Sequence, residues 1–401
     1  MKNKIELLAP AGNLEKAKFA INFGANAIYL GGKIFSLRAQ STNFALKTIK
    51  TIIDYAHKKH CKVYIVVNIL CHNSFLKQLK PYLLQLNVFN PDGLIVADPF
   101  VIQMAKKYCP NVELHLSTQQ SITNHKAALF FKKNGIKRVI TAREVDYKNL
   151  TSLCKHLKGK MDVEYFVHGA LCVNYSGKCM LSNHFTLRDA NVGGCAQCCR
   201  WNWTIFDKNK KLIGGDFSMS LKDNCLAKSL VALAKTGINS LKIEGRMKTL
   251  HYLATVVNSY RHLLDNFPPA NKYLKEWSNE LLKAAKRPIS DGCFLKPIDQ
   301  TKLIYHDDDK SYIKQQNFVF IVTKQISKHK YEIISKNYFT IKNKIEVLSP
   351  NCNLQKIILK SIYDIANECN VSIVNKPMFK YIIETKNHTS LKTNDLGRIC
   401  K

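Results

Sequence analysis

Long apolar runs are missing from this chain. No stretch approaches the roughly 18 uninterrupted apolar residues of a membrane span, and the opening MKNKIELLAP has no extended apolar segment of the kind a secretory signal carries. Both absences point to a cytoplasmic protein with no membrane partner, where thiols stay reduced and clustered cysteines serve metal or catalytic chemistry rather than disulfides. Acidic residues are scarce as well: 29 Asp and Glu face 61 Lys and Arg, a formal charge of +32. Such a field attracts polyanions, nucleic acid first, although a lysine coat also serves as plain solvated surface. Arginine is the rarer cation, and Arg143, Arg188, Arg200 and Arg246 all fall in or near the motifs that carry chemistry. An arginine in a lysine-rich chain marks a place that needs a planar, bidentate donor. The sequence also lacks His-Glu-x-x-His, Gly-x-Ser-x-Gly and a phosphate-binding loop, which removes the hydrolase and nucleotide-binding classes those motifs announce.

What is present is an alternation. Short apolar runs at 5–10, 26–32, 62–68, 93–99, 112–119, 137–144, 162–169 and 240–246 are each followed by a segment of helical period, except at 162–169, where a cysteine-rich stretch intervenes. Strands alternating with helices argue for parallel connections, and eight such units fit a TIM-type (β/α)8 barrel of about 250 residues. An open doubly wound sheet is the structural alternative. The runs end in polar or small residues, among them Asn68, Asp98, Ser117, Arg143, Glu144, His168, Glu244 and Arg246. In a barrel these ends share one rim, the rim that carries active sites. The expected division is a barrel over 1–265, a helix and linker over 266–315, and a small antiparallel β-barrel over 316–401, a type of module that often binds a partner or nucleic acid.

The cysteine-rich insertion spans 172–199 with the spacing Cys172-x6-Cys179-x15-Cys195-x3-Cys199. Four thiolates hold either zinc or an iron–sulfur cluster, and buried or reactive thiols are the bland alternative. The six-residue gap suits structural zinc poorly, whereas Gly177, Gly193 and Gly194 suit a loop folded round a cluster. Cys198 adjoins Cys199, so the two do not both ligate, and Cys225 is a rival fourth ligand. His168, alone after a strand, reads equally as a core histidine or a functional one.

The segments ELLAPAGNLEKAKFAINFGANAIYLGG, EYFVHGALCVNYSGKCMLS, CAQCCRW and SLKIEGRMK closely resemble peptidase family U-32, the collagenase-like proteases, from about residue 4 to residue 265. The family label implies peptide hydrolysis, which the residues do not support. Well-understood members are oxygen-independent hydroxylases acting on tRNA uridine, ribosomal RNA cytidine or ubiquinone precursors. The resemblance implies a 4Fe–4S cluster on Cys172, Cys179, Cys195 and Cys199, with iron–sulfur assembly proteins as partners, and prephenate as a small acidic co-substrate. Length and charge fit the tRNA-directed members, which convert wobble uridine to 5-hydroxyuridine. On that reading Arg143, Arg246 and His168 bind the acidic co-substrate, and Glu144 and Glu244 orient these groups or handle protons. Cys198 departs from the family pattern, which commonly has proline or another residue there.

Overall fold

The computed structural model describes residues 5–37, 43–297, 316–350, 354–387 and 390–400. Eight parallel strands form its centre: β1 Glu6–Pro10, β2 Ala27–Gly31, β3 Lys62–Val67, β4 Gly93–Val96, β5 Glu113–Leu116, β6 Ile136–Ile140, β7 Asp162–Ala170 and β8 Ser240–Ile243. Each pairs with the next in order, and β8 pairs with both β7 and β1. That double pairing closes the ring and decides for the TIM-type barrel against the open sheet. Most strands stop short of the apolar runs in the sequence. The polar ends Ser117, Arg143, Glu144, Glu244 and Arg246 leave the ladder and enter the loops of the C-terminal rim.

Local chemistry starts the intervening helices. Asp98 accepts from the backbone N–H groups of Phe100 and Val101 with Pro99 in the first turn, and Asp146 accepts from Asn149. Such caps are each worth about 1 kcal/mol. Inside the ring, Leu8, Ala27, Tyr29, Tyr64, Val66, Ile95, Ile140 and Phe166 pack together. Below them runs an ionic lattice. Arg138 meets Glu6 at 2.5 Å and Glu164 at 3.2 Å, Lys242 meets Glu164 at 2.7 Å, and the Tyr64 hydroxyl donates to Glu6 at 2.7 Å.

Between β7 and β8 the chain makes a long excursion. It includes the short helix Leu181–Thr186, an antiparallel hairpin of Trp203–Phe206 with Leu212–Phe217, and the strand Asp223–Cys225, which returns antiparallel onto His168–Ala170. Residues Ile289–Ser290 add a further parallel strand to this extension.

By packing, the chain divides into two compact units, one of residues 1–21, 25–248 and 287–312, the other of 22–24, 249–286 and 313–401. The helices Leu250–Asp265 and Asn271–Leu282 thus group with the C-terminal residues. The second unit holds an eight-stranded antiparallel sheet in the order 354–357, 345–348, 396–400, 316–325, 330–335, 380–385, 359–364 and 369–370. Its two edge strands do not pair among the described residues, so the expected small barrel is an open half-barrel. Its core is aliphatic and aromatic, and the fully buried Arg398 is held by Glu346 and Glu280. Residues 298–315 of the expected linker lie outside the described residues. Among the described residues no helix is long and apolar enough to cross a membrane.

Candidate active site

A cavity of about 140 Å3 opens at the C-terminal mouth of the barrel. Tyr29, Val66, Ile95, Ile140, Phe166 and Lys242 form its floor, while Asn68, Ser117, Arg143, Glu244 and Arg246 stand on the rim. Cys172, Cys179, Cys195, Cys198 and Cys199 close it from the insertion side.

The insertion is shaped by side chains and turns rather than by long elements. Glu144 leaves the rim and clamps the loop: its carboxylate accepts from the Ser176 N–H at 2.7 Å and the Ser176 hydroxyl at 2.6 Å. Ser176 sits at φ +47, a strained backbone for a residue with a Cβ, and the two bonds from Glu144 hold it there. Asn191 then brackets Cys179, accepting from its N–H at 3.4 Å and donating to its carbonyl at 3.1 Å. Gly194 donates to the Asp189 carbonyl at 2.7 Å, and any Cβ on it would stand 2.7 Å from the same oxygen. The result brings cysteines 27 positions apart to one wall.

The donor set fits a group held by four thiolates. Cys172, Cys179, Cys195 and Cys199 are each half-buried on that wall. The Asn174 amide donates to the Cys179 sulfur at 2.9 Å, the kind of bond that steadies a ligating thiolate. Burial pushes the Cys199 thiol up to about 11, and its neighbours Cys172, Cys195 and Cys179 push the same way against the opposing pull of Arg200. Among the described residues no three His, Cys, Asp or Glu side chains gather in the arrangement of a single-ion site. Cys198 also faces this space but is buried, with Ser182 Oγ 4.0 Å from its sulfur. Cys225 is not on the wall; it lies on the strand paired to β7, opposite His168.

The two rim arginines differ. Both nitrogens of the Arg246 fork donate to Ser36 Oγ at 2.8 Å, and one reaches Asn43 at 3.3 Å. Its seat needs Gly31, where a Cβ would stand 2.6 Å from the guanidinium. Arg143 makes no ion pair or hydrogen bond among the described residues; its guanidinium lies 4.5 Å over the Phe166 ring, and its Nε is buried without a partner.

His168 is not brought to the cavity. The register between β7 and β8 slips after Phe166, so that Lys242 faces Phe166 but Ile243 faces His168. The bulge moves His168 to the side of Ile243, opposite the cavity-lining Lys242 and Glu244. There it is buried, and its pKa falls to about 4, burial outweighing the nearby Asp223, with Lys248 adding to the fall. Asp223 in turn pairs with Lys248 at 2.8 Å and Arg287 at 3.3 Å.

Residues 12–303 match peptidase family U32. This chain belongs to peptidase family U32. It is 44% identical over 303 residues to tRNA hydroxylation protein P1 of Bacillus subtilis, covering 73% of this chain and 71% of that one. It is 28% identical over 402 residues to tRNA hydroxylation protein P of Escherichia coli, covering 88% and 87%. A third relative, the 23S rRNA 5-hydroxycytidine C2501 synthase of Escherichia coli, is 34% identical over 264 residues, 66% of this chain but 40% of the relative.

Sequence reasoning passed over several residues that line this U32 cavity, as Lys242 and Asn174 do, or that brace the barrel and the insertion round it. Lys242 lies within the apolar run of β8, and Glu164 and Arg138 lie likewise in β7 and β6. Strands of a parallel barrel are buried on both faces and read as continuous apolar runs, so a charge inside one was the available signal. Asn174 and Asn191 carried none.

Proposed function

We propose that this U32 chain hydroxylates tRNA, converting wobble uridine to 5-hydroxyuridine without molecular oxygen, in the cytoplasm where tRNA is found. The observation that carries the reading is one cavity walled by four half-buried cysteines and overlooked by an arginine with no carboxylate partner among the described residues. Cys172, Cys179, Cys195 and Cys199 would hold a 4Fe–4S cluster, which supplies electron transfer or Lewis acidity when bound. Arg143 would grip the carboxylate of an acidic co-substrate, prephenate in this reading, because a guanidinium fork matches a carboxylate. Arg246, already fixed by Ser36, would define the far side of that subsite. Glu244 would face the bound molecules as the protonatable group of the rim. Glu144 and His168 hold the loop and the strand extension rather than substrate.

The names and extents of the relatives support tRNA over ribosomal RNA. The alignment with the Escherichia coli tRNA hydroxylation protein runs nearly the whole length of both chains, whereas the ribosomal RNA synthase is matched over 40% of its length. Peptidase chemistry finds no support at this cavity, since among the described residues no histidine lines it to activate a thiol. The test is mass spectrometry of tRNA nucleosides from a strain lacking the protein, complemented with the wild type or with Cys179→Ala. Restoration of 5-hydroxyuridine by the wild type alone is expected; equal restoration by both would overturn the reading.

A further inference from the structure

The insertion that closes the cavity carries a second chemistry that the thiols do not use. Phe185 and Trp203 have ring centroids 4.3 Å apart, and Trp201 and Trp203 stack at 5.7 Å with planes 29° apart. Phe185 is 43% exposed and Trp201 42%. The neighbouring hairpin extends this surface. Phe206 and Leu212 oppose each other across its two strands, and both are more than half exposed. A lone two-stranded hairpin is marginally stable, and exposed aromatic and aliphatic groups gathered in this way mark a binding surface.

Charge decides what it binds. The turn residues Lys208, Lys210 and Lys211 of that hairpin are exposed. Asp207, the acid of that turn, already accepts from the backbone N–H groups of Asn209 and Lys211 at 2.8 Å. No glutamate occurs anywhere from 170 to 225. Flat rings bordered by lysines match unpaired nucleotides, whose bases stack while their phosphates meet the cations. A paired duplex hides its base faces and has no use for the rings.

The surface is also tied to the cavity. The Trp201 N–H and the Trp203 indole N–H both donate to the Cys198 carbonyl, at 3.1 Å and 3.0 Å, and Cys198 lines the cavity wall. We infer that Phe185, Trp201 and Trp203 form a stacking platform for the unpaired RNA bases that flank the modified nucleotide. The inference rests on the proposed RNA reaction for the identity of that nucleotide, but the platform itself needs no turnover.

Two of the three tryptophans of the chain belong to the platform, so the intact protein reports on it directly. Adding an anticodon stem–loop RNA with an unmodified wobble uridine should quench the tryptophan emission of the iron-loaded wild type, and a fully paired RNA of the same length should not. Trp201→Ala should weaken stem–loop binding roughly ten- to hundredfold, with iron content unchanged. Its log–log salt slope should stay that of the wild type, because no phosphate contact is lost. Trp201→Tyr should restore most of the affinity. Stem–loop binding by the wild type without quenching would overturn the platform, as would wild-type affinity in a Phe185→Ala/Trp201→Ala double variant, and the surface would then fall to a protein partner. A protein that quenches with stem–loop RNA yet modifies no tRNA would support the platform and overturn the proposed reaction.

Discussion

Deep in the barrel, Arg138 meets the carboxylates of Glu6 and Glu164, and Lys242 meets Glu164. At the mouth of the same barrel Arg143 meets the Phe166 ring and no carboxylate among the described residues. Arg138 lies within strand β6 and Arg143 follows it, five residues on. The deep one is paired with carboxylates of the protein, although its Nε has no partner among the described residues, whereas the upper one keeps its fork for something else. Buried charge is expensive unless paired, so a guanidinium left without an anion at a cavity is the better sign of ligand chemistry. The thiols extend the contrast: scattered Cys61, Cys109 and Cys154 are buried singly in the core, while four half-buried ones share the wall at the mouth.

The largest expected effect falls on the mouth. Cys172, Cys179, Cys195 or Cys199 changed to Ala should each abolish the iron and sulfide content of anaerobically prepared protein, while Cys198→Ala and Cys225→Ala should keep it. Iron lost with Cys225→Ala and kept with Cys199→Ala would move the fourth ligand to the strand beside His168. Next comes the deep lattice. Glu164→Ala strands the buried Lys242 and leaves Arg138 to Glu6 and Asp162, and denaturant unfolding should show a loss of about 3–5 kcal/mol; a loss below about 1 kcal/mol would break the contrast between the two ends.

Acid should then expose the buried titrating groups in sequence. The unfolded chain protonates His168 near the ordinary histidine value of 6.5, whereas burial holds the folded value at about 4. Protons therefore favour the unfolded state across that window, and stability should fall as pH drops from 6.5 to 4. His168→Asn should flatten that limb of a stability profile. Burial raises the Glu164 carboxyl, but Lys242 and Arg138 outweigh it and hold it below the ordinary glutamate value of 4.5. Its contribution is full above 4.5 and lost as pH falls further, so it survives the His168 substitution as a second, more acidic limb.

Arg143→Lys sharpens the comparison from the other side. It keeps the charge and removes the fork, and should lower 5-hydroxyuridine formation by roughly ten- to hundredfold, the equivalent of about 1.5–3 kcal/mol. Arg246→Lys should behave similarly, with some loss of stability from its bonds to Ser36. The smallest effect is on folding at the mouth: Arg143→Met should change unfolding free energy by less than about 1 kcal/mol, since among the described residues it gives up only its contact with the Phe166 ring.

Much of this was legible beforehand because it is periodic or local. Eight apolar runs alternating with helical segments announced the barrel, and the grouping of cysteines from Cys172 to Cys199 pointed to the segment that lines the cavity. The misplacements have physical causes. His168 follows the same strand as Phe166, but one bulge against Ile243 turns it away. Glu144 stands next to Arg143 in the chain, yet its carboxylate is taken up by Ser176, 32 positions on.

The sequence by itself determined the alternation of strand and helix, the surplus of positive charge and the grouping of the cysteines, since each depends only on residue type and spacing along the chain. Tertiary structure alone decided which charges would be satisfied. Arg138 finds Glu6 across 132 positions because closure of the ring turns the inward faces of β1, β6, β7 and β8 onto one interior. Pairing inside a barrel is set by height and by the face each side chain presents, and one slipped register or one loop clamp changes both without altering a single residue.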